Sequence, residues 1–463
     1  MTFNSISFIF LFLPVVLILY GLLKGETKKL IVLLVMSLLF YAWGNPAYLL
    51  LLLFSIAFNY LTGLEIGEWR ENGCEKRAKA AMIAAVCVNL LLLGYYKYTG
   101  FLLSIFHIKV KGPDLPIGIS FFTFSVLSYV FDVYQKKTKP QRNILKFAVY
   151  VSFFPKISQG PIAEYRDLED QLTGHPVTRE QISDGSRLFL IGLFKKVLIA
   201  DGLGSAMASV QALPQMASAT AWLGMIFYSL QLFFDFAGYS DMAIAISEML
   251  GFKIKKNFNY PYCSESMSDF WRRWHISLGA WFRDYVYIPM GGNRCSKKRQ
   301  IWNLAVVWFL TGLWHGASWN FILWGLYHGA LVLLDKFVVG KAFRKLPLAV
   351  RISVTTLLAF FGWIFFFTPT LGDAASWVAQ MFGSAGLGFW NQTTTYYLRQ
   401  NLLLLVLGFA FSGPFLGEKF ESVTIGSSRL KKGIYLGSYT FLLLLCIADM
   451  ISNSYSAFLY FKF

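Results

Sequence analysis

Residues 302–334 read WNLAVVWFLTGLWHGASWNFILWGLYHGALVLL, a run with no Asp, Glu, Lys or Arg and with two histidines, His315 and His328. About 20 apolar residues suffice for a helix to cross a bilayer, so this stretch has the length and composition of membrane-embedded helix. An ionisable group in such a run is costly and marks a functional site by default. Gly312, Gly316 and Ala317 flank His315; small residues of this kind leave room for a ligand or for a close helix contact. His315 lies 16 residues beyond Arg299. At 1.5 Å per residue that is about 24 Å along a helix, most of the way across a ~30 Å hydrocarbon core. A neutral imidazole at that depth is suited to act as general base on a hydroxyl.

Similar stretches recur along the whole chain. Of its 463 residues 56% are hydrophobic and only 14% charged, against roughly 25% charged in a soluble globule. The expected fold is therefore an all-α polytopic membrane protein, 1–463 forming a single membrane domain. Spans are read near 3–23, 30–43, 47–64, 80–98, 115–135, 188–206, 220–250, 301–319, 321–335, 350–368, 400–418 and 433–452, with a re-entrant segment at 144–158. The first of these is expected to be a retained span and not a cleaved signal peptide, since no basic residue precedes it and no small-residue cleavage site follows. Lys and Arg gather in short loops such as 24–29, 136–146, 253–256, 294–299 and 336–351, whereas 207–219 and 371–398 carry none. The positive-inside rule puts the first group in the cytoplasm and both termini outside. It also accounts for the net charge of +17, so a nucleic-acid partner is not inferred. The five scattered cysteines suggest neither a disulfide framework nor a metal site.

Three stretches are too polar for mere spanning. In 251–300, Phe270, Trp271, Trp274, Leu278, Trp281, Phe282 and Tyr285 share one helical stripe, with Arg272, Arg273 and Arg283 off it. One amphipathic helix, capped at Asp269 and ended by the turn at 290–294, is expected to lie at the cytoplasmic surface. Its arginines serve either as a membrane-surface anchor or as ligands of a polyphosphate donor such as coenzyme A; spacing does not separate the two. His275 sits at the edge of the stripe. In LQLFFDFAGYSDMAIAI, Asp235 and Asp241 fall inside an apolar span, where they either form part of a site or satisfy backbone donors freed by a break at 238–240. In FFPKISQGPIAEYRDLEDQL, residues 153–172, the prolines preclude a regular span, and Lys156 and Gln159 are expected to line a cavity behind a re-entrant turn. His107 and His175 fall in loops.

The order of these motifs closely resembles the membrane-bound O-acyltransferase family, in particular its bacterial branch of alginate and peptidoglycan O-acetyltransferase membrane subunits. DFWRRWHISLGAWFRDYVYIPMGGNR (269–294) and TGLWHGASWNFILWGLYHG (311–329) carry the resemblance most strongly. LPIGISFFTFSVLSYVFDVYQ (115–135), the 153–172 stretch, FFDFAGYSDMAIAI (233–246) and the C-terminal YSAFLYFKF (455–463) extend it, and residues 115–335 are the most family-like core. The branch commonly has Ser-Thr where this chain has Gly279-Ala280.

The resemblance implies a ring of about 11–12 transmembrane helices, with re-entrant and interfacial helices, around a tunnel. It implies that His315 is catalytic, that His275 is the second active-site member, and that His328 is secondary. Arg272, Arg273, Arg283, Asp235, Asp241, Lys156 and Gln159 are the candidate donor- or substrate-binding residues. The implied activity is transfer of acetyl groups from cytoplasmic acetyl-CoA, a substrate and not a bound cofactor, across a bacterial inner membrane. The implied partner is an extracytoplasmic esterase-like acetyltransferase, and the final acceptor a cell-envelope polysaccharide. D-alanyl transfer to teichoic acid on the same fold, and acyl-group transport without chemistry, are the alternatives.

Overall fold

The computed structural model describes every residue except 109, 111, 174, 175, 422–428, 453–457 and 460–463, and side chains outside 419–432. His175 and most of the C-terminal motif therefore lie outside the described residues. The described chain is helical and contains no strand. Six helices are long and apolar enough to cross a membrane: Ala47–Glu71, Glu75–Ile105, Ser218–Met249, Trp319–Phe343, Leu348–Phe367 and Gly433–Ser452. Phe8–Leu22 and Ile119–Tyr134 are shorter apolar helices.

Two compact units divide the chain. The first comprises Met1–Phe189 and Ser240–Lys256. In it the helices Ala47–Glu71, Glu75–Ile105 and Ile119–Tyr134 pack against one another. With lipid as solvent, apolar surface does not drive this packing, and interhelical hydrogen bonds contribute instead. Asn59 and Asn89 supply one: each amide nitrogen donates to the other's carbonyl oxygen, at 3.2 and 2.8 Å. The 153–172 stretch follows the short helix Ile144–Ser152 and is broken, as its prolines require, into the turn Phe154–Ile157, a loop, and the short turns Tyr165–Leu168 and Glu169–Gln171.

The second unit comprises Leu190–Tyr239 and Asn257–Phe463. Its elements around the histidines are α1 (Ser218–Met249, of which residues up to 239 belong to this unit), α2 (Met267–Arg273), α3 (Ile276–Phe282), α4 (Lys297–His315), α5 (Trp319–Leu334) and α6 (Leu348–Phe367). Three expectations are corrected here. The helix α1 runs unbroken through 238–240; Gly238 is needed because its bare Cα admits the carbonyl of Gly192, 2.7 Å from where a Cβ would stand. The stretch 269–285 is two helices, not one, with His275 between them in the left-handed region at φ 45°. Ser266, not Asp269, caps α2: its hydroxyl accepts from the Asp269 amide at 3.3 Å.

The tightest crossing is between α4 and α5. A Cβ on Gly312 would lie 2.4 Å from the Phe321 carbonyl oxygen, and one on Gly325 2.4 Å from the Trp308 carbonyl oxygen and 3.0 Å from Gly312 Cα. The two backbones touch, which only glycine allows. Gly325→Ala must push α4 and α5 apart, at a cost of about 1–3 kcal/mol. The expected result is a lowered unfolding temperature in detergent, with Gly21→Ala, which meets nothing within 4 Å, melting like wild type.

Candidate active site

Within the second unit a half-open cavity of about 440 Å³ is lined by both His275 and His315. Each imidazole is delivered by a helix end. His315 is the last residue of α4, with Gly316 as its cap. The carbonyl end of a helix stabilises positive charge by about 0.3–1 kcal/mol. His275 precedes α3, and its left-handed backbone turns the ring out of the aromatic stripe. Trp314 separates the two, its ring centroid 4.9 Å from that of His315 and 5.9 Å from that of His275. Phe236 of α1 meets the His275 ring edge-on at 4.7 Å. Trp324 and Phe366 pack on His315 at 4.7 and 5.3 Å.

Both histidines are buried, at 2% and 4% exposure. Burial without a carboxylate neighbour disfavours the imidazolium and pushes the His275 ring down to about 3, so it is neutral at physiological pH. Its Nδ1 lies 3.2 Å from the Oδ1 of Asn257. Asn257 was not singled out in the sequence; it stands 18 residues before His275, too far for any periodicity to join them.

Arg272 and Arg283 line the same cavity. Arg283 is paired with the adjacent Asp284, at 2.7 and 3.1 Å. Arg272 has no carboxylate partner among the described residues, so its guanidinium is available to an anion. Arg273 does not line the cavity and pairs with Asp269 at 3.0 Å. Gly279 and Ala280 form part of the wall. A Cβ at Gly279 would meet only the Trp271 carbonyl oxygen, at 3.7 Å, so space here comes from an absent side chain and not from a tight packing requirement. His328 lies one layer behind. It is fully buried, with ring contacts to Trp271, Trp324 and Trp308 at 4.9, 5.0 and 6.2 Å. Trp271 and Trp308 themselves line the cavity.

The other candidates are elsewhere. Asp235 belongs to the second unit but does not line the cavity. It is half of a buried ion cluster: Lys196 Nζ lies 2.7 Å from Asp235 Oδ1 and 2.7 Å from Asp201 Oδ1, while Asp235 Oδ2 accepts the backbone N–H of Leu459 at 2.9 Å. Phe458 completes the cluster, its ring 4.5 Å from the Lys196 ammonium. Lys156, Gln159 and Asp241 belong to the first unit. Lys156 donates to Ser125 Oγ at 3.0 Å and lies 4.2 Å from the centre of the Tyr150 ring. Gln159 is buried, and its amide makes no hydrogen bond among the described residues. The Asn303 amide donates to the Met290 carbonyl at 3.1 Å.

The family profile of membrane-bound O-acyltransferases matches residues 98–370, which include both histidines and the whole cavity lining. The chain belongs to this family. Among its relatives, the probable alginate O-acetylase AlgI of Pseudomonas aeruginosa is 40% identical over 89% of this chain and 81% of its own length. The peptidoglycan O-acetyltransferase of Helicobacter pylori is 32% identical over 100% of this chain and 97% of its own. The teichoic acid D-alanyltransferase of Bacillus subtilis is 33% identical, over 50% of this chain and 62% of its own. This membrane-bound O-acyltransferase is thus a multi-pass membrane enzyme that transfers acyl groups to oxygen.

The ion cluster around Lys196 makes a direct prediction. Lys196→Met leaves the buried Asp235 and the half-buried Asp201 without this cation, a change that costs about 3–5 kcal/mol for a buried pair. Thermal unfolding in detergent is expected to show a large loss, part of which returns in Lys196→Met/Asp235→Leu.

Proposed function

We propose that this enzyme takes acetyl groups from a cytoplasmic thioester donor, acetyl-CoA, and passes them across a bacterial inner membrane toward O-acetylation of an envelope polysaccharide. The observation that carries the reading is the cavity in which His275, His315 and the partnerless Arg272 meet. A volume of about 440 Å³ falls within the usual range for small-molecule sites, roughly 300–1,000 Å³. It holds a thioester and part of its arm. Arg272, with Arg283 beside it, offers charge-assisted hydrogen bonds to an anionic donor.

In this reading His315 takes the proton of the acceptor hydroxyl while that oxygen attacks the thioester carbonyl carbon. Collapse of the tetrahedral adduct breaks the carbon–sulfur bond, and the imidazolium returns the proton to the leaving thiolate. General base catalysis of this kind supplies about 10²–10⁴-fold, and the remainder comes from holding donor and hydroxyl together. The acceptor on the far side is an esterase-like partner that hands the acetyl group to the polysaccharide. Acetyl transfer is preferred over D-alanyl transfer because the two acetylating relatives match over 89% and 100% of this chain, and two D-alanylating ones over 50% and 74% of it. The peptidoglycan and teichoic acid relatives are transferases by name and the alginate relative an O-acetylase, which favours chemistry over mere transport.

The test is envelope O-acetylation in cells lacking the protein. Wild type is expected to restore base-labile acetate, and His315→Ala, at matched membrane level, to leave it at least about 100-fold lower in rate. Equal restoration by both would remove His315 from the mechanism, and alanine in place of acetate would select the other donor. With acetyl-CoA as donor, Arg272→Ala is expected to raise its KM about tenfold, the lower end of what a hydrogen bond to a charged group contributes.

A further inference from the structure

Asn257 is buried at 1% exposure and holds His275 from two sides. Its backbone carbonyl accepts the Ile276 N–H at 2.9 Å. Its side-chain Oδ1 accepts the Ser277 backbone N–H at 3.1 Å and the Ser277 hydroxyl at 2.9 Å. A backbone N–H can only donate, so the side-chain atom at this point is the amide oxygen and not the nitrogen. The same oxygen lies 3.2 Å from His275 Nδ1. An amide oxygen offers no proton, so Nδ1 must carry the hydrogen. Nε2, on the other side of the ring, is then a bare lone pair, and it makes no hydrogen bond among the described residues.

The backbone supports this assignment. A non-glycine residue in the left-handed region costs of order 1–2 kcal/mol and persists only where its surroundings impose it. Here the Ile276 N–H bond to Asn257 and the Asn259 N–H bond to the Arg273 carbonyl, at 3.0 Å, fix the chain immediately on both sides of His275. Without the kink His275 would continue the α2 helix.

We propose that Asn257 is a positioning residue of this enzyme: it locks His275 in the Nδ1–H tautomer, so that Nε2 is left as a hydrogen-bond acceptor and not as an oxyanion donor. The proposal rests on the acyl-transfer reading for its catalytic meaning. His275 then receives a hydroxyl or amide N–H of a bound substrate and orients it, while the proton transferred in the reaction goes to His315. The developing oxyanion must be met by some other donor. The remaining charged or titratable groups lining the cavity are His315, Arg272, Arg283 and Tyr287; Phe236 and Trp314, which press on the His275 ring from α1 and α4, carry none.

The test has one readout independent of catalysis. In the ¹⁵N spectrum of histidine-labelled protein in membranes, with His275 assigned by its loss in His275→Gln, Nδ1 is expected to be protonated and Nε2 bare. Asn257→Asp keeps an acceptor oxygen and is expected to keep this tautomer. Its carboxylate also favours the imidazolium, so the acid limb of the kcat/KM profile is expected to move to higher pH. Asn257→Leu removes the acceptor; a mixture of tautomers is expected, with kcat down at least tenfold and donor KM within about twofold. A wild-type ring protonated at Nε2 would falsify the proposal, and so would an Asn257→Leu protein that keeps both tautomer and kcat. The wild-type spectrum decides even where Asn257→Leu does not fold. A protein with the expected spectrum that transfers no acyl group supports the lock and overturns the functional reading instead.

Discussion

The backbone contact between α4 and α5 at Gly312 and Gly325 governs the architecture of the site. In a bilayer two helices gain little from burying apolar side chains against each other, because lipid already solvates them. Close packing must supply the attraction, and here it is achieved by removing side chains altogether. Once α4 lies directly on α5, Trp308 and Trp324 close over the crossing, 6.5 Å apart. His315, at the end of α4, is then set against Trp324 and Phe366 and cannot leave its rotamer without displacing them. The cavity is the space that remains between this pair and the broken α2–α3 segment.

A second constraint acts on every polar group in such a protein. Water is not there to satisfy it, so each needs a partner within the fold. Asn59 and Asn89 find each other, and Lys196 finds two carboxylates. Asp235 finds both a cation and the backbone of Leu459, which ties a residue near the end of the chain to the middle of α1. These arrangements are fully paired and are best understood as structure. Arg272 and the Nε2 of His275 differ in kind: they belong to residues that line the cavity, and they lack a partner among the described residues. That contrast separates the groups that hold the molecule together from those left available to a substrate.

Much of this was legible along the chain. Composition identified the solvent as lipid, and the motif order around His275 and His315 identified the family, because both signals are local and repeated. Asp235 was visible as an intramembrane acid, but Lys196, 39 residues away, was not visible as its partner. Likewise the periodicity of 269–285 described one helix, since its aromatic residues share one helical stripe. The kink at His275 comes from hydrogen bonds to Asn257 and Asn259, which lie outside the stretch whose periodicity was read.

By itself, then, the sequence determined the all-helical membrane class and the family, and it singled out His275 and His315 as candidates, because these readings depend on residue type and on spacing within single elements. Only the tertiary structure decided that those histidines share one cavity, that Asp235 is held in an ion cluster away from it, and which nitrogen of His275 carries the proton. Each of these depends on where side chains distant in sequence come to rest, and a buried polar group takes its role from whichever partner the fold brings within hydrogen-bonding reach.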